Sequence, residues 1–578
     1  MSADTYSELR EERIAVGSVD VSKYTRNNRS FTERNNDLYL NWNKYFGNEG
    51  EISFAGVVGY NQRRTEFQSI SAGTNGGLVV PGIYALSNSV AAPAAPGESA
   101  YQLGVDGVYG QASFGYKNFM YVDLTARRDV SSTLPAGNNS FFYPSATLSF
   151  IFSEFVDVDG FDFGKVRLNW ANVGSDAPAQ ALTDVYGIGT PFNGVTLASA
   201  PSTQNNSSLL PENTSSIEAG LEMKFLKNRA GLDFSVYQSS TFNQILPAQV
   251  STSTGTYYKY VNAGQIDNNG IELSAYFTPV QTDDFSWDIN VNWSRNRNKV
   301  VELFGDSQTL LLASVQGGVN ITARVGEAYG TLEGTSFVRD GASGAPLVYD
   351  WASSRGGARY YQGDVGVIGN IQADWRGGVN NAFSYKNVTL SALIDMQMGG
   401  DFFSLDTWYG YGTGVYDFSA GTNADGNPIR TNIEDGGGLS WDEVAHLGIE
   451  TPMQWDGTTV DADGNPVGTT NTTKMWMNDY GNALGWALGG PNELHVYDAS
   501  FVKLREVALT YRVPTSALAD LPIAGVDVSL IGRNLAILYK NTPYSDPEAG
   551  LSAGNVQGYQ SGAYPSLREV GVNLRVKF

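Results

Sequence analysis

Few side chains in this sequence have the chemistry of a catalyst. Cysteine is absent, so the chain has neither a thiolate nucleophile nor a disulfide framework. His446 and His495 are the only histidines, and neither belongs to a recognisable metal or catalytic motif. Carboxylates are numerous, but no pair stands out as a candidate for acid and base catalysis. We therefore predict that the protein is not an enzyme and has no metal site and no bound cofactor.

The residues best suited to binding a ligand are aromatic and lie in one long segment, 400–497. The candidate ligand-binding residues are Trp408, Tyr409, Tyr411, Trp441, Trp455, Trp476 and Trp486. Aromatic faces stack on sugar rings and on peptide side chains. The sequence leaves two interpretations open. These rings contact a substrate or a partner, or they form a small core of the segment itself.

The same segment contains two Asp-Gly turns, at 423–428 and 461–466. Asp461 and Asp463 supply the oxygen ligands that calcium prefers, but the later ligands of a calcium loop are missing. Plain turns are therefore predicted. Ser440-Trp-Asp-Glu443 has the pattern of a capping box and predicts the start of a short helix.

The composition excludes several classes of protein. The net charge of −22 arises from 37 basic and 59 acidic residues, so no basic stripe is available to a nucleic acid. Hydrophobic residues make up 42% of the 578 residues, and no apolar run approaches the ~20 residues of a membrane helix. A helical membrane protein is thereby excluded, whereas a β-barrel, whose strands are only half apolar, is not.

The chain as a whole has the pattern of β-strands. At its end, Val570, Val572, Leu574, Val576 and Phe578 alternate with polar or small residues. Such a strand has one apolar and one polar face. The alternation recurs along most of the chain in segments of about ten residues or more, as membrane strands require. Strands of soluble sandwiches are shorter, with about 5–6 residues.

Short and long connections alternate between these strands. The short ones lie near 46–50, 116–118, 226–229, 279–284 and 385–387. The long ones are rich in Gly, Ser and Asn and cover roughly 63–100, 175–212, 244–263, 301–370, 400–497 and 538–565. This asymmetry is typical of an outer-membrane barrel with short periplasmic turns and long extracellular loops. We therefore predict an all-β fold, an antiparallel transmembrane β-barrel of about 16 strands that starts near residue 12 and ends with Phe578 in the periplasm.

Several blocks, in order along the chain, carry a resemblance to a known family. They are Arg127–Pro135 (RRDVSSTLP), Tyr143–Glu154 (YPSATLSFIFSE), Val166–Ala177 (VRLNWANVGSDA), Leu209–Leu246, Asn262–Val280 (NAGQIDNNGIELSAYFTPV), Gly369–Asp401 and Asp498–Pro514 (DASFVKLREVALTYRVP). With these blocks the chain resembles the SusC/RagA branch of the TonB-dependent outer-membrane transporters.

The resemblance implies a barrel of about 22 strands with an N-terminal plug and a TonB box upstream. It also implies a SusD-like surface lipoprotein as partner, and energised uptake of oligosaccharides or peptides. The plug, the TonB box and the signal peptide are absent from this sequence, and about 16 strands are present. We therefore expect residues 1–578 to be the C-terminal part of a receptor barrel, with 400–497 as a long extracellular loop. TonB would act through the missing N-terminal region.

The chain end resembles the signal that barrel-assembly machinery reads, a terminal aromatic residue after alternating apolar ones. The residues concerned are Gly571, Leu574, Val576 and Phe578.

Three functions are compatible with the sequence to different degrees. The first is the barrel part of an importer embedded in outer-membrane lipid. The second is a plugless passive porin, because about 16 strands suffice for a porin lumen. The third is a water-soluble surface glycan-binding β protein, against which the lipid-length strands argue. In either barrel, we expect inward charges such as Arg127, Arg295 and Lys503 to tune selectivity.

Overall fold

The computed structural model describes residues 2–14, 22–47, 50–189, 191–351, 357–477, 483–485, 490–519, 522–551, 554–562, 564 and 566–578. Sixteen strands form one antiparallel sheet in which each strand pairs with its neighbours along the chain. Within the described part, no helix has both the length and the apolar character needed to span a membrane.

The sixteen strands are called the wall. They are β1 (Ser2–Ile14), β2 (Lys23–Phe46), β3 (Ile52–Gly73), β4 (Gly97–Tyr116), β5 (Met120–Ser131), β6 (Ser140–Ile151), β7 (Phe161–Ser175), β8 (Glu212–Phe225), β9 (Ala230–Phe242), β10 (Gln265–Gln281), β11 (Phe285–Glu302), β12 (Trp375–Tyr385), β13 (Val388–Met398), β14 (Phe501–Arg512), β15 (Gly525–Lys540) and β16 (Glu569–Lys577).

The predicted number of strands and their antiparallel order are confirmed. The predicted start near residue 12 is wrong, because β1 begins at Ser2. Its sequence, SADTYSELREERI, has few apolar residues and hence no hydrophobic alternation to detect. The strand forms through backbone pairing with β2, from Ser2 opposite Asn35 to Ile14 opposite Lys23.

The register gives the wall an apolar outer face and a polar inner face. Residues directly opposite in neighbouring strands share a face. Leu390 lies opposite Phe383 and Leu509, and all three side chains are exposed on the outer face. The next residue, Ser391, points to the inner face. At the chain end, Arg575 lies opposite Asp527 on the inner face, as the alternation predicts.

The two ends of the wall differ in their connections. At one end the turns are short, and aromatic rings gather beside them. Phe119 makes edge-on contacts with Tyr116, Phe150 and Phe155 at centroid distances of 5.5, 5.9 and 4.8 Å. Such rings are expected where a barrel crosses a membrane interface.

At the other end the long connections fold. Residues 303–374, 399–500 and 541–568, as far as they are described, pack together into one body, called the roof. Three small sheets build most of it. They are Thr309–Val315, Val319–Arg324, Thr331–Phe337 and Gln362–Asn370; Ala358–Tyr360, Leu347–Asp350 and Met453–Gln454; and Val496–Asp498, Asp401–Ser404 and Tyr559–Gln560.

Two short α-helices and several 3₁₀ turns complete the roof. The helices are α1 (Leu405–Thr413) and α2 (Trp441–Val444). The 3₁₀ turns of the roof are Asp417–Ser419, Ile433–Asp435, Ala445–Leu447 and Asn492–His495, and those elsewhere are Leu86–Asn88, Phe152–Phe155, Thr252–Thr254 and Thr515–Leu518. Smaller strands in the other long connections are Asn75–Leu78, Ser89–Ala91, Gly187–Ile188, Ala198–Ser199, Thr203–Gln204, Ile245–Gln249 and Tyr258–Asn262.

The roof has a true hydrophobic core, which the wall lacks. One cluster joins Val348, Tyr411, Trp441, Met475 and Leu484 with their neighbours. A second cluster joins Ile321, Leu332, Phe403, Leu405 and Tyr559, and so contains residues from all three connections. The 400–497 segment is therefore a folded part of the roof, held to the segments before and after it in the chain.

Candidate ligand-binding site

A polar recess lies on the inner face of the wall, between β7 and β13. It has a volume of about 650 Å³. Its polar lining combines short residues, Ser235, Ser274, Asn292 and Ser294, with charged ones, Arg167, Asp233, Glu272, Arg376 and Asp395.

The strand register places these residues in one row across the wall. Each residue lies opposite the next on the neighbouring strand, in the order Arg167, Gly220, Ser235, Glu272, Ser294, Arg376, Gln397. Neighbouring strands are about 4.8 Å apart, so the backbone distance between two residues of the row follows from the number of strands that separate them.

Arg167 is held flat along the wall at one end of the recess. Its guanidinium donates to the Asp233 carboxylate at 2.6 and 3.0 Å and to the Ser235 hydroxyl at 2.6 Å. To reach them it crosses Gly220, where an added Cβ would lie 2.4 Å from the Arg167 Nε. The glycine is therefore required for this ion pair, which neutralises both groups.

Two charges in the recess have no counterion among the residues that the structure describes. The Arg376 Nε donates to the Gln397 side chain at 2.9 Å, but no carboxylate lies within 4 Å of its guanidinium. Likewise, no cationic group lies within 4 Å of the Glu272 carboxylate. Glu272 and Arg376 are separated by Ser294, two strand spacings or about 10 Å between their backbones, and they form no ion pair.

A second cavity of about 480 Å³ continues the recess upward, between wall and roof. Arg376 and Asp395 line both cavities. On the roof side, the lining includes Phe402, Pro547 and Gly558. The two cavities therefore adjoin each other at Arg376 and Asp395, and the recess lies close to the underside of the roof.

A buried ion cluster fastens the roof to the wall beside this passage. The Lys503 ammonium of β14 is 2% exposed and contacts the carboxylates of Asp546, at 2.6 Å, and Glu548. Arg505 links Glu548, at 2.8 Å, to Asp395 in the recess. Burial acts to raise the pKa of Asp546, but hydrogen bonds from Lys503 and Ser566 outweigh it and hold that pKa below its ordinary value.

Three of the predicted aromatic site residues lie in the roof core. Tyr411, Trp441 and Trp476 are 0%, 4% and 5% exposed, so their rings stabilise the roof and are not open to a substrate. Trp441 also donates its Nε1–H to the Thr473 carbonyl at 3.0 Å. Trp486 lies outside the described residues.

The other three aromatic residues are half-buried. Trp408 and Tyr409 pack edge-on against each other at a centroid distance of 4.8 Å, and both border the Phe403 cluster. Trp455 packs against Tyr361 at 4.9 Å and donates to the Thr459 carbonyl at 2.7 Å. None of the six described aromatic residues lines the recess or the cavity above it. Substrate contact stays a prediction for Trp408, Tyr409 and Trp455.

Two predictions concern polar residues of the roof, the capping box at Ser440 and the turn at Asp461. The capping box of Ser440 and Glu443 is confirmed at the start of α2. Asp461 accepts backbone hydrogen bonds from Asn465 and Asp463 at 2.8 and 2.9 Å, and the first of these contributes most to lowering its pKa. It therefore serves a turn, as predicted.

His495, which belongs to no recognisable motif in the sequence, is a core residue of the roof. It is fully buried beside α1, with Nδ1 3.1 Å from the Thr407 hydroxyl and the ring near those of Phe403 and Tyr411. Burial lowers its pKa to about 3, so the imidazole is neutral in the folded roof.

The three charged residues that were predicted to point inward lie in different environments. Arg127 lies on the inner face, paired with Asp129 at 2.8 Å. Lys503 is enclosed in the ion cluster. Arg295 lies opposite Ile271 and therefore shares the outer face, contrary to the prediction. The recess charges Glu272 and Arg376 were missed, because only the register reveals that they share a row.

The terminal residues proposed as an assembly signal form the edge strand β16. Leu574 lies opposite Val528, Val576 opposite Val526, and Gly571 opposite Ile531. Phe578 follows the strand and is 92% exposed. Their recognition by assembly machinery stays a prediction.

Comparison with known proteins gives a family and a fold. The family model described as "TonB dependent receptor-like, beta-barrel" matches residues 3–392. TonB-dependent receptor P3 of Formosa agariphila is 24% identical over 601 residues, covering 98% of this chain and 54% of that protein. TonB-dependent receptor SusC of Bacteroides thetaiotaomicron is 25% identical over 302 residues, covering 49% of this chain and 30% of that protein.

A solved structure is similar along the whole chain. The RagAB peptide importer in its 'closed-closed' state matches with a TM-score of 0.70 at 17% sequence identity, covering 100% of this chain and 59% of that one. This similarity concerns the fold. The chain spans about half the length of the curated relatives that it matches.

Proposed function

The chain belongs to the TonB-dependent receptor β-barrel family of the outer membrane, and from this premise we propose that it forms the barrel portion of an energised importer of oligosaccharides or peptides. The observation that supports the proposal is the pair of adjoining cavities. One lies on the polar inner face of the wall and the other between the wall and the roof, which we propose to be extracellular. The chain's role is to bind and pass a polar solute, with no catalysis.

We propose that further strands and a plug complete this barrel. Among the described residues, β1 pairs only with β2 and β16 only with β15, so each has one side without backbone partners. Unpaired backbone groups in lipid cost several kcal/mol each. Residues 1–578 would then be the C-terminal part of the receptor, with the plug, the TonB box and the signal peptide upstream. TonB would act through that upstream region.

The roof is the proposed contact for a SusD-like lipoprotein. It is a packed body with its own core, and it lies at the end of the wall where the long connections fold. The resemblance to the SusC/RagA branch, together with the match to a receptor named SusC, supports this choice of partner. The half-buried Trp408, Tyr409 and Trp455 are proposed to meet either the partner or the substrate.

Energised uptake is the property to test. Cells carrying the native gene or a deletion are given labelled oligosaccharides and peptides, with and without a protonophore. We expect uptake that needs both the gene and the proton gradient. Gene-dependent uptake that survives the protonophore would instead identify a passive porin.

The size of the native product tests the proposed domain organisation. Outer membranes are probed with an antibody against residues 566–578. We expect a band well above the 62.3 kDa of this chain. A folded, heat-modifiable band at 62.3 kDa would contradict the upstream plug.

A further inference from the structure

We propose that the outer face of β11 carries a binding site for the phosphate group of a membrane lipid, with Arg295 as the cation that binds it. The lipid is a phosphate-bearing lipid of the leaflet on the roof side of the wall, which we propose to be the extracellular leaflet. The site lies on the face of the wall opposite the recess, so this inference is independent of the solute that the importer carries.

The first argument is the position of Arg295 along its strand. From the short turn onward, β11 turns a series of apolar residues to the outer face: Phe285, Trp287, Ile289, Val291 and Trp293. A tilted membrane strand needs about 9–11 residues, so this stretch is long enough for one crossing of the membrane. Arg295 is the next outward residue. It therefore lies where the apolar interior of the membrane meets the lipid headgroups.

The second argument is that the neighbouring strands change character at the same level. Arg295 lies opposite Ile271 of β10, and the next outward residue of β10 is the polar Asn269. On the other side, the register continued by one residue places Trp375 of β12 beside Arg295. The edge of the apolar outer face therefore crosses three strands at Arg295.

The third argument is the missing counterion. No carboxylate of a described residue lies within 4 Å of the Arg295 guanidinium, whereas the next outward residue, Arg297, is paired with Asp374. A charge at the edge of the apolar face loses part of its hydration, so an unpaired arginine there gains from an anion that the membrane supplies. The planar guanidinium matches the oxygen atoms of a phosphate and donates two parallel hydrogen bonds to such a group.

Two tryptophan rings offer a contact for the apolar part of the same lipid. Trp293 and Trp375 both border Gly377 on the outer face, where an added Cβ would lie 3.5 Å from each ring. Tryptophan is enriched at the level of lipid headgroups because its ring is apolar and its N–H is polar. A lipid whose phosphate contacts Arg295 therefore has its acyl chains beside these two rings.

The experiment uses the native receptor, purified from outer membranes in dodecyl maltoside. The probes are two forms of photoreactive lipid A with a diazirine on one acyl chain, one phosphorylated and one dephosphorylated. Crosslinked residues are identified by mass spectrometry, and unlabelled lipid A of either form serves as competitor. We expect crosslinks at Trp293 and Trp375. At these positions the phosphorylated competitor should act at about 10- to 100-fold lower concentration than the dephosphorylated one, the range for hydrogen bonds to a charged group.

Three variants assign the phosphate to Arg295. Arg295→Gln should lower labelling by the phosphorylated probe about 10-fold and leave labelling by the dephosphorylated probe unchanged. Arg295→Lys keeps the charge and should keep a preference for the phosphorylated probe. Lys44→Gln is the matched control, because Lys44 lies opposite Phe54 on the outer face near the short-turn end of the wall. It should leave both labelling patterns unchanged.

The comparison of the two probes on one preparation makes the result independent of the amount of folded receptor. Equal labelling by both probes overturns the inference, and so does an unchanged preference in Arg295→Gln. Displacement of the phosphorylated probe by millimolar inorganic phosphate overturns the lipid as the source of the anion. Uptake that survives the protonophore overturns the import proposal alone and leaves this inference standing, because Arg295 faces away from the lumen.

Discussion

The same kinds of apolar side chain are exposed on the outer face of the wall and buried in the roof. On the wall, Leu390, Phe383 and Leu509 are 44%, 39% and 48% exposed. In the roof, Phe403 and Tyr411 are 0% exposed. The outer face of the wall is solvated by lipid, whereas the roof stands in water and must enclose its own core. The exposure of an apolar side chain in this protein therefore depends on whether lipid or water surrounds that part of the chain.

The largest expected effect is the loss of a roof core residue. Phe403→Ala removes a ring that stacks on Tyr559 at a centroid distance of 6.0 Å. We expect the roof to lose about 3–5 kcal/mol of stability. Hydrogen exchange of residues 401–413 in the membrane-embedded protein measures this. The matched control, Phe383→Ala on the outer face, should leave roof exchange unchanged, and equal effects of both changes would contradict the comparison.

A charge placed on each face of the wall distinguishes the two solvents. Leu168→Lys, in the middle of β7 and on the outer face opposite Leu148, puts an ammonium group into lipid and should cost about 2–4 kcal/mol near the middle of the bilayer. Asn169→Lys, one residue away on the inner face, should cost far less. Urea unfolding in lipid vesicles, followed by heat-modifiable migration, measures both. A similar cost at the two positions would mean that the outer face does not meet lipid.

The third prediction is that acid lowers the stability of the roof without affecting the wall. His495 has a folded pKa of about 3 against 6.5 when unfolded, so its contribution is complete above pH 6.5 and is lost as the pH falls below it. Between pH 6.5 and about pH 4.5 the roof should lose roughly 2–3 kcal/mol. The measurement is exchange of residues 401–413 in wild type and in His495→Gln. An identical pH dependence of the two proteins would exclude this histidine as the cause.

The smallest expected effect concerns a helix cap in the roof. In the capping box, the Glu443 side chain accepts from the Ser440 backbone at 2.7 Å. Ser440→Ala should destabilise α2 by about 1 kcal/mol. Faster exchange confined to residues 441–447 is the expected result. Ser391→Ala on the inner face of the wall is the control and should change nothing in the roof.

The strands of the wall could be predicted from the sequence because the alternation of apolar and polar residues is visible along each single strand. Alternation along a single strand decides which side chains face outward, and Val570 to Val576 illustrate it. The exception was β1, whose strand is held by backbone pairing and lacks that signal. At Arg295 the alternation of Trp287 to Trp293 indicates the outer face, and the prediction was wrong because it followed the polar character of the side chain instead.

The roof and the recess could not be predicted in the same way. The Phe403 cluster joins residues as distant as Ile321 and Tyr559, and no periodicity relates them. The recess needs the register of two pairs of strands before Glu272 and Arg376 fall into one row. Aromatic residues in 400–497 were visible in the sequence, but only packing separates buried Tyr411 from half-buried Trp408.

The ion cluster around Lys503 also sets an order of events during assembly. Lys503 lies on β14, whereas Asp546 and Glu548 follow β15 in the chain. An ammonium group buried without its partners costs several kcal/mol, so it keeps its water until β15 is in place and the segment after it has arrived. The roof therefore closes late in assembly, after β14 and β15 have paired correctly. A receptor arrested before that step should be recognisable by a roof that proteases cut while its wall resists them.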